Sequence, residues 1–286
     1  MAFLVRAVLV ERLVNRARPL VMGILNITPD SFSDGGRLFV NGKPDLDKVL
    51  FYAEGLVDEG ADLLDVGGES TRPGADNVST GNEIERVLPI IEAMRARFDV
   101  PLSVDTSTPE LITLVSQAGV EMINDIRALC KPRALAAAAA AKVTVCLMHS
   151  KGEPKTMQNN PCYEDVNAEV ARFLQERASS CKAAGILPEH IVIDPGFGFG
   201  KTFEQNLSLF KALPALTEMA YPVMIGVSRK AMVGAIVDKP VDQRHYGSAA
   251  LAVLAAQANV SIIRAHDVAA TVDSLKIISA IQAVDY

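Results

Sequence analysis

Apolar residues along this chain recur in two distinct patterns. Eight short and nearly unbroken apolar runs occur at Leu20–Leu25, Asp62–Val66, Leu102–Val104, Met122–Ile123, Val143–Leu147, Ile191–Ile193, Val223–Val227 and Ser261–Ile263. Continuous rather than alternating apolar character predicts parallel strands covered on both faces. Between the runs, apolar positions return every third or fourth residue, which is the spacing of an amphipathic helix. Thr80 followed by Glu83 has the form of a capping box, and Ile84, Val87, Leu88 and Ile91 then share a face. Thr108-Pro109 predicts an N-cap with proline in the first turn; Leu111, Leu114 and Val115 form the stripe and Gly119 the stop. The alanine-rich stretch 134–141 predicts a helix from propensity alone, and Val268, Val272, Leu275, Ile278 and Ile281 mark the last one. Phe3–Leu13 reads as strand-like, so residues 1–18 are expected to form a short N-terminal β arm, a hairpin over one end of the core.

Strict strand–helix alternation leaves a (β/α)8 barrel or an open doubly wound sheet. Eight uninterrupted units favour the barrel, and a chain of 286 residues is close to the ~250 that such a barrel needs. An open sheet would carry a glycine-rich phosphate loop at its switch point. The one candidate, Asp194–Thr202, fails that test: a P-loop needs glycine at Pro195, and a dinucleotide fingerprint needs glycine at Lys201. No linker rich in Pro, Ser or charge divides the chain, so a single domain is expected.

Composition narrows the chemistry. Half of the chain is apolar (49%), which supports a large core, and the formal net charge of −6 without a basic run argues against nucleic acid. An anionic substrate would therefore need a local basic cluster. Cys130, Cys146, Cys162 and Cys181 form no CxxC pair, as expected of reduced thiols in the cytoplasm. The N-terminal apolar stretch is interrupted by Arg6 and is too short to span a bilayer. His149, His190, His245 and His266 show no metal-binding spacing, and no GxSxG elbow is present.

The sharper signal is the residue that follows each strand. Asn26, Asp65 with Glu69, Asp105, Asn124 with Asp125, Met148 with His149, Asp194, then Ser228-Arg229-Lys230, and finally Arg264, His266 and Asp267 stand at successive exits. In a (β/α)8 barrel these points converge on one pocket at the C-terminal face. A polar residue after a strand is often only a cap or turn residue, which is the expectation for Ser107 and Asp267. Asp65, within an apolar run, is expected to hydrogen-bond below the pocket. Asp105, Asn124 and Asp194 are each open to a structural reading, but burying all three at one end is costly without partners. Long segments at Thr28–Pro44, Gly67–Ser79 and His149–Pro161 leave the same face and have the length of lids or binding loops.

Several strings then identify a family. MGILNITPDSFSDGG (Met22–Gly36) resembles the first signature of dihydropteroate synthases and DVGGESTRPGA (Asp65–Ala75) the second. SVDTS, INDI, CLMH, GEPKTMQ, DPGFGFGK, GVSRK and RAHDV follow in the family's order, so the resemblance runs from Pro19 onward. Ile27 and Ala265 stand where valine is expected, and Ser150-Lys151 follows the MH pair unusually; none of these is an expected catalytic residue.

The resemblance implies transfer of a pterin from its pyrophosphate to p-aminobenzoate. Asp194 would accept the paired donors of the pterin, with Asp105 and Asn124 along the ring edge, Lys230 at the carbonyl and N5 side, and Met148 near the ring. Arg264, His266 and Thr71 would bind the pyrophosphate, with Asn26 holding it through Mg2+. Lys230, Arg264 and His266 would be the catalytic set, and Arg72, Phe199 and Ser228 would meet p-aminobenzoate. The resemblance also implies a homodimer and competition by sulfonamides. Three rival readings remain: a pterin-barrel methyltransferase, a pterin-binding protein without catalysis, and a Schiff-base aldolase using Lys230.

Overall fold

The computed structural model describes residues 2–28, 38–40, 43–70, 78–152 and 156–284. Its strands are β1 (Leu20–Asn26), β2 (Phe39–Val40), β3 (Lys43–Pro44), β4 (Leu63–Gly67), β5 (Leu102–Asp105), β6 (Met122–Asp125), β7 (Thr144–Met148), β8 (Ile191–Asp194), β9 (Met224–Ile225) and β10 (Ile262–Ala265). The α-helices are α1 (Ala2–Val14), α2 (Leu46–Asp58), α3 (Thr80–Arg97), α4 (Pro109–Gln117), α5 (Ala134–Ala141), α6 (Val166–Ala183), α7 (Phe203–Lys211), α8 (Leu213–Thr217), α9 (Ala231–Val237), α10 (His245–Gln257) and α11 (Val268–Gln282).

Strands β2 and β3 pair antiparallel within the segment after β1; the other eight form one parallel sheet in the order β8-β7-β6-β5-β4-β1-β10-β9. The sheet closes where Ile193 of β8 bridges Val223, just before β9. The fold is a (β/α)8 barrel, with every expected apolar run in a barrel strand. The seventh strand, Met224–Ile225, is shorter than its apolar run, and Val223 just before it makes the closing bridge.

The N-terminal segment does not form the expected β arm; residues 2–14 form helix α1. A closed barrel offers no free sheet edge for an arm to join. Leu9 and Leu13, one helical turn apart, are instead buried against Leu20, Met22, Leu63, Met122, Cys146, Val192, Met224 and Ile262. Those eight side chains point into the barrel, so α1 plugs its N-terminal mouth.

Strand alternation places the site. Two residues beyond each apolar plug residue the next inward position is reached. That step leads from Leu63 to Asp65, Met122 to Asn124, Cys146 to Met148, Val192 to Asp194 and Ile262 to Arg264. The register sets Asn26, Gly67, Asp105 and Asn124 side by side on β1, β4, β5 and β6. On β4, β6, β8 and β10 the interior therefore changes from apolar to polar within one step of the pleat, while on β7 Met148 keeps it apolar.

Two helix starts differ from expectation. Ser79, not Thr80, caps α3, accepting the Asn82 N–H at 3.3 Å. Glu83 makes no capping box; it is buried and accepts from the hydroxyls of Thr106 at 2.6 Å and Thr108 at 2.5 Å. Thr108 does stand at the N-cap of α4 with Pro109 behind it, but its hydroxyl is given to Glu83 rather than to the helix.

Candidate active site

A cavity of about 720 Å³ opens at the C-terminal mouth of the barrel. Asn26, Asp105, Asn124, Met148, Asp194, Phe199, Ser228, Lys230, Arg264 and His266 all line it, although they come from seven different strand exits. Thr71 and Arg72 lie outside the described residues.

The floor is set by hydrogen bonds to buried carboxylates. Asp65 is fully buried; its Oδ1 accepts from Ser103 Oγ at 2.6 Å, and its Oδ2 accepts from Asn124 Nδ2 at 3.1 Å and Arg264 Nε at 2.7 Å. With its amide nitrogen taken, Asn124 keeps a buried Oδ1 that has no hydrogen-bond partner among the described residues. Asp194 Oδ1 accepts the Gly196 N–H at 2.7 Å. Burial raises the pKa of Asp194, against the pull of Lys230. Burial and the neighbouring Asp65 also raise that of Asp105, against Arg264, whose guanidinium is 3.7 Å away.

The cations face these acids. Lys230 Nζ donates to Phe197 O and stands 4.6 Å from the centre of the Phe199 ring. Burial lowers the Lys230 pKa to about 8, with Asp194 opposing the shift. His266 is fixed by Ser228: the serine Oγ accepts the His266 backbone N–H at 3.1 Å and contacts Nδ1 at 3.1 Å. The Ser228 hydroxyl expected at the benzoate end is thus engaged with the imidazole. Ser107 and Asp267 do more than turn the chain, since Ser107 donates to Asp125 and Asp267 accepts Arg229 through both oxygens.

Sequence reasoning passed over Lys201, Met157 and Gln158, which also line the cavity. Lys201 Nζ donates to Gly196 O at 2.8 Å and Phe199 O at 3.1 Å and contacts His149 Nδ1 at 3.0 Å. Burial lowers the Lys201 pKa to about 7; burial and Lys201 together lower that of His149 to about 3. The loop that Lys201 pins can approach so closely only because it is glycine: a Cβ on Gly196, at φ +70, would stand 1.9 Å from His149 O. Gln158 Nε2 donates to Gly198 O at 2.5 Å, joining the segments after β7 and β8. The glycines at 196, 198 and 200, all at positive φ, were the available signal.

The donors for a metal ion are few. No group of three or more His, Cys, Asp or Glu suited to a metal occurs among the described residues. A Cβ on Gly67 would stand 3.7 Å from Asn26 Oδ1 and 3.9 Å from Asp105 Oδ2, so the bare glycine keeps space open between two hard oxygens. These residues fit Mg2+ carried largely by substrate oxygens and water, and do not fit an all-protein cage.

Comparison with known proteins agrees with this geometry. Residues 22–266 match the family model for pterin binding enzymes. The dihydropteroate synthase of Haemophilus influenzae is 51% identical over 259 residues, 91% of this chain and 92% of that protein. The Yersinia pestis dihydropteroate synthase in a sulfonamide drug complex superposes with a TM-score of 0.90 at 48% identity, covering 94% of this chain and 96% of that one. The Xanthomonas albilineans enzyme in complex with 7,8-dihydropteroate gives 0.82 at 44% identity, with 94% and 95% covered. By fold, cavity and sequence together, the chain belongs to the dihydropteroate synthases.

Proposed function

We infer that the chain condenses 6-hydroxymethyl-7,8-dihydropterin pyrophosphate with p-aminobenzoate, giving 7,8-dihydropteroate and pyrophosphate. The observation that carries this reading is the facing of acceptors and cations across one cavity. Asn124 Oδ1 and the Asp194 carboxylate require ligand donors, while Lys230, Arg264 and His266 suit an acceptor and an anion. A pterin pyrophosphate supplies both in one molecule. Its 2-amino group and ring N–H meet Asp194, with Asp105 and Asn124 along the edge, Met148 against the ring, and Lys230 at the carbonyl and N5.

Arg264 and His266 hold the pyrophosphate, and Ser228 positions the imidazole. Thr71 and Arg72 are proposed contacts from the second loop, for the pyrophosphate and the benzoate respectively. Phe199, beside Lys230, forms an apolar wall for p-aminobenzoate. Asn26 would hold a magnesium ion, which when bound neutralises charge on the pyrophosphate oxygens. The reaction breaks the C–O bond to pyrophosphate and forms a C–N bond, with the arylamine proton leaving to solvent. The amine attacks in its neutral form, so no strong base is required. The cations stabilise charge that grows on the leaving group, where electrostatic catalysis acts most strongly.

The test is turnover of both substrates by purified protein with Mg2+, with and without EDTA; absence of dihydropteroate refutes the reading. The methyltransferase and aldolase readings predict instead a corrinoid partner and a borohydride-trappable Lys230. A homodimer is proposed in addition. Leu254 on α10 and Ile277 and Ile281 on the adjacent α11 are 50%, 63% and 68% exposed, and light scattering checks the mass in solution. No described helix is long and apolar enough to cross a membrane. A cytoplasmic location is proposed from the four free cysteines.

A further inference from the structure

Asp65 does not line the cavity, yet two of the residues that do are held by it. We propose that Asp65 is a positioning residue that fixes which end of the Asn124 amide faces the ligand and where the Arg264 guanidinium stands. It would thereby couple recognition of the heterocycle to recognition of the pyrophosphate. This deepens the functional reading above and rests on it.

An ionised carboxylate only accepts, so the amide of Asn124 must turn its NH2 toward Asp65 Oδ2 and leave Oδ1 at the cavity. Reversing the amide would set two acceptors against each other and leave the NH2 facing the pterin donors. The same Oδ2 takes Arg264 through Nε at 2.7 Å, so neither terminal nitrogen is spent on Asp65; Nη2 lies 3.7 Å from Asp105 Oδ2, beyond hydrogen-bond distance, and the fork can still meet an anion. Ser103 Oγ, at 2.6 Å on Oδ1, fixes the rotation of the carboxylate itself. Asp65 on β4 thus reaches β5, β6 and β10 from the first polar step above the apolar plug. Its full burial means that no water can substitute for any of the three donors.

Two substitutions separate the two roles. In Asp65→Asn the side-chain oxygen can still face Asn124 and Arg264, because the Ser103 hydroxyl can turn from donor to acceptor for the new NH2. That variant keeps the orientation of the Asn124 amide but replaces the charge-assisted hold on Arg264 Nε by a weaker neutral one, so the guanidinium is less firmly placed. Asp65→Leu, of similar size, loses both. Each protein is titrated calorimetrically with 6-hydroxymethylpterin, which lacks the pyrophosphate, and KM is measured for the pterin pyrophosphate.

Asp65→Asn is expected to bind 6-hydroxymethylpterin within about threefold of the parent while KM for the pyrophosphate substrate rises roughly tenfold. Asp65→Leu is expected to weaken both by about tenfold to a hundredfold. A folded Asp65→Leu protein that binds 6-hydroxymethylpterin like the parent overturns the proposal. So does Asp65→Asn if it loses 6-hydroxymethylpterin binding while keeping KM. If Asp65→Leu does not fold, the nearly isosteric Asp65→Asn decides alone, and unchanged KM in it is the refuting result. A parent protein that binds no pterin sinks the functional reading itself, which is a separate outcome.

Discussion

Lys230→Met tests the cationic side of the site most directly. The substitution keeps the length and apolar stem of the side chain but removes the ammonium that donates to Phe197 O and faces the Phe199 ring. Burial holds the Lys230 pKa at about 8, so roughly nine-tenths of the free protein carries the proton at pH 7 and roughly one-tenth at pH 9. If the ammonium donates to the pterin, kcat/KM of the parent must fall as pH rises through about 8, because kcat/KM reports ionisations of the free enzyme. A charge-assisted hydrogen bond contributes ~1.5–3 kcal/mol, which corresponds to a loss of about tenfold to a hundredfold in the variant at pH 7. The deficit should shrink by about tenfold at pH 9, where most of the parent has lost the same proton. The assay is initial-rate formation of dihydropteroate at limiting pterin pyrophosphate from pH 6 to 9.5. Parent-like kcat/KM in the variant at pH 7, or the same alkaline fall in both proteins, refutes the assignment.

Lys201 should leave its mark on stability. Its folded pKa of about 7 lies below the ordinary 10.5, so the unfolded chain binds more protons between those values and stability gains with rising pH. Relative to Lys201→Met, the parent should gain up to about 1.4 kcal/mol per pH unit above pH 7.5, read from urea midpoints; parallel curves would discredit the shift. Gly196→Ala forces a positive φ on alanine and a Cβ 1.9 Å from His149 O, so at least ~1–3 kcal/mol and most activity should be lost. Gly55→Ala, with open space around its Cβ in α2, should instead gain about 0.5–1 kcal/mol, and a loss there would show that the contrast is not steric. Leu13→Ala opens the plug and should cost about 2–5 kcal/mol in thermal or urea unfolding with kcat unchanged at 25 °C; a neutral change would mean that α1 does not close the barrel.

The barrel was legible because its parallel strands are buried on both faces, and that leaves uninterrupted apolar runs such as Leu20–Leu25. The polar rim was legible for the opposite reason: Asp105, Asn124 and Asp194 end those runs abruptly. What the one-dimensional pattern hid was the use of each polar group. Glu83 has the spacing of a capping box, but its partners Thr106 and Thr108 are more than 20 residues away. Ser228 reads as a free hydroxyl until the fold brings it to His266, 38 residues on. Lys201 reads as the end of a failed phosphate loop, because the backbone carbonyls that cage its amine are marked in the sequence only by the glycines at 196, 198 and 200. Helix α1 gives no helical signal because eight apolar residues in its first nine positions show no period, and only barrel closure decides between strand and helix.

The same burial that makes the core stable sets the electrical state of the rim. Asp105 and Asp194 are pushed toward their protonated forms while Lys201 and Lys230 are pushed toward their neutral ones. Lys201 is satisfied by the carbonyls around it, but below Asp105, Asp194 and Lys230 lies an apolar plug, so further solvation of those three must come from the cavity side. A water-filled cavity gives weak, mobile solvation. A ligand with fixed N–H donors for the acids and a polyanion for the bases favours the charged form of both sets at once. Groups that cost folding free energy in the empty barrel become the source of affinity when that ligand arrives. Selection for stability alone would have extended the plug by one more apolar step, from Leu63, Met122, Val192 and Ile262 to leucine or valine at 65, 124, 194 and 264. That the apolar interior stops one step short, on four strands together, is the structural trace of binding.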